Sequence, residues 1–246
     1  MKNSKLSKLL LASVISSLTV PTIAQQLEEV VVTASKRAEN LQDIPQAVTA
    51  FSSERLVELG IVETSDLMGA IPNIQVTSAY GRTQPNFSIR GISVANEFSA
   101  ATASPVGVYV DEVYQSFRAS HGQQLFDLDS VEVLRGPQGT LYGRNTTGGA
   151  VNVNTVKPSL DGGTSGFLNV RLGNYSYADF TGAVEATIIP DVLGVRLSGA
   201  VSEADGYVDN TLLGTDHPQT SSAAGRLSIV WRPSDKTDIH AKVYWA

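Results

Sequence analysis

The sequence predicts an α+β domain, a small mixed sheet with short helices, followed by the first strands of a transmembrane β-barrel. Residues 1–24 have the form of an export signal, and residues 41–158 mix short apolar strands with two short helices. Residues 159–246 then show five consecutive segments in which apolar and polar residues alternate. Alternating segments of about ten residues, separated by turn residues, are typical of outer-membrane barrels.

The first 24 residues predict export. Lys2, Lys5 and Lys8 form a basic start, and Leu9–Val20 is a mostly apolar run of 12 residues. Such a run is too short to cross a bilayer as a helix, although it suits the core of a signal peptide. We expect cleavage after Ala24, with an uncleaved membrane anchor as the alternative.

The domain at residues 41–158 is predicted from short elements bounded by Gly, Pro, Asn or Asp. Thr64 is predicted to be the N-cap of the second helix, with Asp66 in the first turn of that helix and Pro72 beyond its end. The predicted elements are strands at Ala47–Phe51, Ile74–Thr77, Phe87–Arg90 and Val106–Val110 and helices at Ser53–Leu59 and about Ser65–Ala70.

Residues 131–155 predict a strand, a glycine-rich turn system and a second strand. Val131–Val133 and Val151–Asn154 alternate as half-buried strands do. A long surface loop is the alternative for the turns. Gly143 and Gly148 have half of a phosphate-loop spacing, but the Lys and Ser/Thr of that motif are missing. The turns contain five glycines, which permit sharp bends: Gly136, Gly139, Gly143, Gly148 and Gly149.

The alternating region predicts antiparallel strands joined by turns and one longer polar loop, Asp205–Gln219. A soluble antiparallel sandwich shows the same alternation, so a periplasmic binding or adhesion module remains the alternative. Five strands cannot close a barrel, so we expect the chain to hold only the beginning of a larger one. The strand cores are Leu168–Leu172, Phe180–Ile188, Val195–Val201, Leu227–Trp231 and Ile239–Trp245, with turns at Gly173-Asn174, Pro190-Asp191 and Pro233–Asp235.

Composition argues against enzymatic, metal-binding and nucleic-acid-binding functions. The chain has no cysteine, and its three histidines, His121, His217 and His240, form no ligand-spaced cluster. Without a nucleophile, acid or base constellation we expect no catalytic site, no metal and no cofactor. The net charge of −6, with no basic block, argues against a nucleic-acid partner.

The segment after the predicted cleavage site is rich in β-branched residues. Val30–Thr33 are four such residues in a row, which favours extended backbone. The segment suits strand addition to the sheet edge of a partner, where main-chain hydrogen bonds provide the affinity. The first strand of the following domain is an equal alternative.

Together these motifs resemble the TonB-dependent outer-membrane receptors, in the family's order and over essentially the whole chain. Glu28–Ala34 looks like the TonB box of that family. The further matching motifs are Ile44–Val48, Ile71–Asn73, Ile89–Ile92, Val108–Asp111, Val133–Gly143 and Arg144–Asn152.

The resemblance implies a 22-stranded barrel filled by a plug domain, in the outer membrane of a Gram-negative bacterium. It implies a domain order of signal peptide (1–24), TonB box and linker (25–40), plug (41–158) and truncated barrel (159–246). The implied partners are outer-membrane lipid, the TonB energy-coupling protein and an extracellular nutrient such as a ferric siderophore. Cobalamin, haem and oligosaccharides stay open as substrates. The box residues are Glu28, Glu29, Val30, Val31, Val32, Thr33 and Ala34.

The resemblance also implies roles inside the plug. Arg90 and Arg135, each followed by a glycine, resemble arginines that lock the plug to barrel carboxylates, with solvated strand-end arginines as the alternative. The turn glycines are Gly91, Gly136, Gly139, Gly143, Gly148 and Gly149. Tyr80–Pro85 and Asn96–Ser104 are candidate substrate loops. The short stretch before the box leaves no room for a signalling domain, so we expect uptake without direct transcriptional signalling.

Overall fold

A computed structural model describes residues 31–33, 36–37, 39–79, 84–96, 98–99, 102–122, 124–210 and 215–245. The predicted export signal, box residues Glu28, Glu29, Val30 and Ala34, and parts of both candidate substrate loops lie outside the described residues. Within these ranges, no helix is long and apolar enough to cross a membrane.

The first part of the chain contains short strands and shorter helices. The helices are α1 (Ser53–Glu58), α2 (Leu67–Ala70) and α3 (Gly139–Tyr142), with 3-10 turns at Thr64–Asp66 and Arg118–His121. The strands are β1 (Val31–Val32), β2 (Glu39–Asn40), β3 (Val48–Ser52), β4 (Ile74–Thr77), β5 (Asn86–Ile89), β6 (Val106–Val110), β7 (Val113–Tyr114), β8 (Leu128–Arg135) and β9 (Gly149–Thr155).

Five of these strands form a mixed sheet in the order β3-β8-β9-β6-β7. The β6–β9 pair is parallel, and the other pairs are antiparallel. Alternation along β8 gives the sheet two buried faces. Val131 and Val133 pack into a larger apolar cluster with α1, α2, β4 and β5, whereas Leu134 packs into a smaller cluster on the opposite face. The predicted small mixed sheet with short helices is therefore present.

The helix starts differ from the prediction in one respect. Ser52 caps α1, since its Oγ accepts the Arg55 N–H at 3.4 Å. The predicted Thr64 cap is wrong, because Thr64 Oγ1 donates instead to the His121 carbonyl at 2.6 Å. Glu63 is the N-cap and forms a capping box with Asp66, whose Oδ2 accepts the N–H groups of Val62 and Glu63 at 3.0 and 2.9 Å. Asp66 lies in the first turn, as predicted.

Several local elements were not predicted, including β2, β7 and the 3-10 turn at Arg118–His121. The glycine-rich turn system contains the single-turn helix α3, and the long polar loop contains a small hairpin of β13 (Val208–Asn210) and β14 (Thr215–His217). The remaining strands are β10 (Thr164–Leu172), β11 (Ala178–Ile189), β12 (Leu193–Ala204), β15 (Thr220–Ser234) and β16 (Thr237–Trp245).

These last five strands form one antiparallel sheet in the order β10-β11-β12-β15-β16. Its polar face is buried against the first domain, and its apolar face is exposed. This distribution is the reverse of that in a soluble sheet. The buried polar side chains are those of Asp179, Arg196, Ser198, Ser202, Arg226 and Ser228, and the exposed apolar ones include Leu168, Phe180, Val184, Leu197, Val201, Trp231 and Val243.

Candidate functional site

The N-terminal segment, residues 31–33 and 36–37, lies on the smaller apolar cluster of the mixed sheet. Strand β1 pairs antiparallel with β2, with Val31 opposite Asn40 and Val32 opposite Glu39. The Val32 side chain is fully buried and packs in one cluster with Ile44, Leu134 and Ala150. Val32 thus completes a core, whereas Lys36 and Arg37 of the same segment are exposed.

Lys36 extends this contact over two tyrosines. Its Nζ lies 4.7 Å from the ring centroid of Tyr142 and 5.8 Å from that of Tyr109, which is cation–π distance. The same Nζ lies 3.8 Å from a carboxylate oxygen of Glu112. Burial, together with the nearby Glu132 carboxylate, raises the pKa of Tyr142 above its usual value, so its ring stays neutral beneath the ammonium.

Glu132 is the buried polar residue of the mixed sheet that binds the N-terminal segment. It is fully buried in β8, opposite Asn152 of β9. Its Oε1 accepts the Thr33 backbone N–H at 2.7 Å and the Thr33 hydroxyl at 3.0 Å. The amides of Asn152 and Asn154 donate to the same carboxylate at 3.3 and 3.2 Å. A buried carboxylate is therefore stabilised by four hydrogen bonds, two of which come from the N-terminal segment.

A first ionic clamp joins the mixed sheet to the second sheet. Asp127, at the entry to β8, is buried, and its Oδ2 accepts from Arg196 Nε at 2.9 Å and from Arg226 Nη2 at 2.8 Å. Arg196 also pairs with Glu185 at 2.7 Å. Although burial would raise the pKa of Asp127, the hydrogen bond and charge of Arg196 and the charge of Arg226 hold it below its usual value.

A second ionic clamp lies at the far end of β6. The Asp111 carboxylate lies 2.8 Å from Lys242 Nζ, and Thr155 donates its N–H to Asp111 at 2.9 Å. The hydroxyl of Tyr244 donates to the same carboxylate. Burial opposes ionisation of Asp111, but these hydrogen bonds hold its pKa below the usual value. A cavity of about 800 Å³ borders this clamp and Thr33.

Arg90 and Arg135 lie at neighbouring turns. Arg90 is exposed with a φ of 53°, and Arg135 is half-buried at the end of β8. A Cβ atom on Gly136 would lie 3.5 Å from Arg90 Nη1, so the two arginine–glycine turns adjoin. Neither arginine pairs with a carboxylate of the described residues. Their predicted pairing with barrel carboxylates stays a prediction.

The predicted turn glycines differ in what they do. Gly91, Gly136, Gly143 and Gly149 have positive φ. At Gly149 the constraint is severe, because a Cβ atom would overlap the Leu134 carbonyl oxygen. Gly148 has ordinary backbone, but a Cβ atom added to it would lie 3.3 Å from the side chains of Ile92 and Val106. Gly139 has neither constraint and simply begins α3.

Sequence reasoning missed both ionic clamps and the partner of Thr33. It assigned the locking role to arginines of the first domain, whereas the clamps described here use carboxylates of that domain and cations of the strands. A signal was available, because Arg196 and Arg226 fall on the polar face of their strands and a buried arginine needs a counter-charge. In the described ranges, no group of three or more His, Asp or Glu side chains could hold a metal ion.

The fold and contacts define a class: a small mixed-sheet domain clamped to the polar face of an antiparallel sheet whose other face is apolar. Comparison with known proteins gives the family. Residues 40–150 match the model of the TonB-dependent Receptor Plug Domain. The chain is 32% identical over 164 residues to the pesticin receptor of Yersinia pestis, covering 61% of this chain and 24% of that protein. It is 26% identical over 254 residues to the ferrioxamine B receptor of Salmonella typhimurium, covering 96% and 33%.

Solved structures agree with these matches. The ferric yersiniabactin uptake receptor FyuA of Yersinia pestis superposes with a TM-score of 0.73 at 26% identity, over 81% of this chain and 31% of that one. The alcaligin outer-membrane receptor FauA of Bordetella pertussis has the same fold, with a TM-score of 0.67 at 19% identity, over 88% and 34%.

The mixed-sheet domain therefore matches the plug of the TonB-dependent receptors, and the chain is similar to members of that family in sequence and fold. Members of this family are receptors and transporters, not enzymes, as the sequence predicts. The chain spans between about a quarter and a third of the length of the relatives described above.

Proposed function

We propose that this chain supplies the plug, the coupling segment and barrel strands of an outer-membrane receptor that actively takes up a scarce, bulky nutrient. A ferric siderophore is the proposed substrate class, because relatives are named as receptors for ferrioxamine B and for ferric yersiniabactin uptake. The proposed domain order is signal peptide (1–24), box and linker (25–40), plug (41–158) and barrel strands (159–246).

The reversed polarity of the second sheet is the observation on which the proposal rests. Arg196 and Arg226 are buried against the plug, while Leu197 and Val201 of the same sheet are exposed. In a soluble sandwich the apolar face would pack on a second sheet. In a barrel around a plug the apolar face contacts lipid, so the arrangement favours the membrane receptor over the sandwich.

The N-terminal segment supports energy coupling. We assign Glu28, Glu29, Val30, Val31, Val32, Thr33 and Ala34 as the box that pairs with the TonB energy-coupling protein by strand addition. Arg90 and Arg135 remain our candidates for plug–barrel locking through carboxylates elsewhere in the barrel.

Substituting Val31 with proline tests the coupling assignment. Proline removes a backbone N–H that a ladder needs, so we expect energy-dependent uptake of the ferric siderophore to fall at least tenfold while surface binding persists. Val31→Thr is the matched control, because it keeps the N–H and the β-branched shape, and it should transport normally. Transport and binding are measured in parallel on cells with and without a proton-motive force.

Two results would count against the proposal. Unchanged uptake by Val31→Pro would remove the coupling role from this segment. Recovery of the protein in the soluble periplasmic fraction, without a heat-modifiable outer-membrane band, would favour the sandwich alternative.

A further inference from the structure

The buried guanidinium of Arg118 belongs to neither ionic clamp. It binds described parts of the plug next to the two candidate substrate loops, at the start of β5 and at Phe98–Ser99. We propose that Arg118 is a positioning residue: it joins these two segments into one preformed surface, on which the exposed rings of Phe98 and Phe117 are held in place for the nutrient. This inference rests on the proposed function, because it concerns how the same receptor holds its substrate.

The contacts of Arg118 reach two distant parts of the plug. The residue is 5% exposed and begins the 3-10 turn Arg118–His121. Its Nη1 donates to Oδ1 of Asn86 at 2.6 Å, and its Nη2 donates to the carbonyl of Ser99 at 2.5 Å. Asn86 is the first residue of β5 and is itself buried. One side chain therefore connects a strand and a loop that lie 32 and 19 residues before it.

The shape and charge of arginine suit this junction. Its planar guanidinium presents N–H donors in fixed directions and can bind two acceptors at once, whereas lysine has a single compact ammonium. Both acceptors here are neutral amide oxygens, and hydrogen bonds from a charged donor are stronger than neutral ones. Release of Ser99 would leave a buried cationic donor without that acceptor, which is costly. Arg118 therefore favours the ordered position of the loop.

The turn that carries Arg118 is fixed from inside the plug. The His121 carbonyl accepts the Thr64 hydroxyl at 2.6 Å. His121 Nε2 lies 2.9 Å from the Gln115 carbonyl, which can only accept, so this nitrogen carries the hydrogen. The turn is thus the anchor, and the segment at Ser99 depends on it for its position.

Two aromatic rings are exposed at the same junction. Phe98 precedes Ser99 and is 68% exposed, and Phe117 precedes Arg118 and is 62% exposed. The hydrogen bond from Arg118 to Ser99 therefore holds together the two segments that carry these rings. Aromatic side chains gain free energy when a bulky ligand removes them from water. A ligand that meets them in a fixed position loses less free energy in ordering the loop.

The first test needs no substrate. Residues 1–246 contain no cysteine, so Phe98→Cys in the full-length receptor, with any later cysteine replaced by serine, accepts a single nitroxide spin label. The electron paramagnetic resonance spectrum reports how freely the labelled loop moves. We expect Arg118→Ala to raise the mobile spectral component about threefold, because alanine cannot hold Ser99. The control is Arg144→Ala, which removes an exposed arginine of the plug and should leave the spectrum unchanged.

A milder variant guards against misfolding of Arg118→Ala. Arg118→Lys keeps the charge and much of the bulk but cannot bind Asn86 and Ser99 at once, so its spectrum should lie between those of the parent and Arg118→Ala. The heat-modifiable band confirms that each variant is folded. The positioning role is disproved if folded Arg118→Lys gives the same spectrum as Arg144→Ala.

The second test separates positioning from general damage. Uptake is measured against concentration for ferrioxamine B and ferric yersiniabactin, the ligands named for two relatives. We expect Arg118→Ala to raise the half-saturating concentration of the transported siderophore about tenfold, with the maximal rate per receptor within about twofold of the parent, since loop ordering must then accompany binding. A merely structural role would lower the maximal rate at an unchanged half-saturating concentration, and that result would overturn the proposal.

The two tests fail independently of each other. If the parent takes up neither siderophore but Arg118→Ala mobilises the nitroxide, the positioning role stands and the siderophore substrate class fails. If the parent takes up one of them but both Arg118 variants give the parent spectrum, the receptor function stands and the positioning role does not.

Discussion

The Asp127 carboxylate of the plug pairs with two arginines of the second sheet. Its side chain has no exposed surface, and it binds both Arg196 and Arg226. A buried pair gives little net stability compared with apolar packing, but the loss of one partner leaves the other charge uncompensated. The clamp therefore fixes position more than it adds stability.

Replacing Asp127 with asparagine should destabilise the folded receptor by roughly 3 kcal/mol, because buried Arg226 loses its counter-charge and Arg196 keeps only Glu185. The expected readout is a lower urea midpoint with an unchanged slope. Asp238→Asn breaks the exposed pair with Arg232 and serves as the control, since exposed ion pairs contribute little. Equal midpoints for the two variants would show that the Asp127 clamp is not formed.

The same measurement repeated against pH has a defined sign. Because the pKa of Asp127 in the folded protein is lowered from 3.8, the clamp should contribute fully above that value. Its contribution should disappear only as the pH falls below 3.8 through the lowered pKa. The midpoint difference between Asp127→Asn and the parent should therefore be constant through mildly acidic buffers.

At the scale of elements, Gly149 determines how closely the start of β9 approaches β8. Gly149→Ala should prevent the two strands from pairing in register, because the new Cβ atom would overlap the Leu134 carbonyl and lie 2.8 Å from Ile89. We expect little folded receptor in the outer membrane, measured as the heat-modifiable band. Gly139→Ala, in α3, has open space and should be neutral or slightly stabilising. A normal yield of Gly149→Ala would contradict the close approach of β9 to the Leu134 carbonyl.

The strands of this protein could be predicted from sequence because their signal is local. Val131 and Val133 alternate with Glu132, and observed β8 extends that predicted core by a few residues at each end. The same holds for Val195–Val201 within β12. The alternation of apolar and polar residues shows which side chains share a face of the strand, and it does so whether that face contacts protein, lipid or water.

Two of the features that the sequence did not predict depend on contacts between distant parts of the chain. Thr64 was predicted as a cap, but its hydroxyl binds a carbonyl 57 residues away, and no local pattern encodes that choice. Asp127 meets Arg196 and Arg226 across 69 and 99 residues. Helix α3 was missed because four residues are too few to show helical periodicity.

At the scale of the whole molecule, the exposed apolar face of the second sheet favours a lipid environment over water. Leu197 is 48% exposed on the apolar face, beside Val184 and Leu227 of the neighbouring strands. A continuous exposed apolar band that crosses several strands would promote aggregation of a monomeric soluble protein. In a bilayer it is the lipid-facing surface.

A charge on that band should impair membrane insertion. Leu197→Arg is expected to cost roughly 2–4 kcal/mol if the residue lies near the bilayer midplane, lowering the fraction folded into lipid vesicles. Tyr207→Arg, 68% exposed between β12 and β13, is the control and should insert normally. Equal insertion of both variants would place Leu197 outside the lipid.

Under the proposed function, the docked position of β1 would also affect how receptors share a coupling protein. When only a fraction of molecules has the segment free, the apparent dissociation constant rises by the inverse of that fraction. Each tenfold gain in docking therefore makes an idle receptor a tenfold poorer competitor for the coupling protein. A cell could then keep many unoccupied receptors in its outer membrane without depleting a limited pool of that partner.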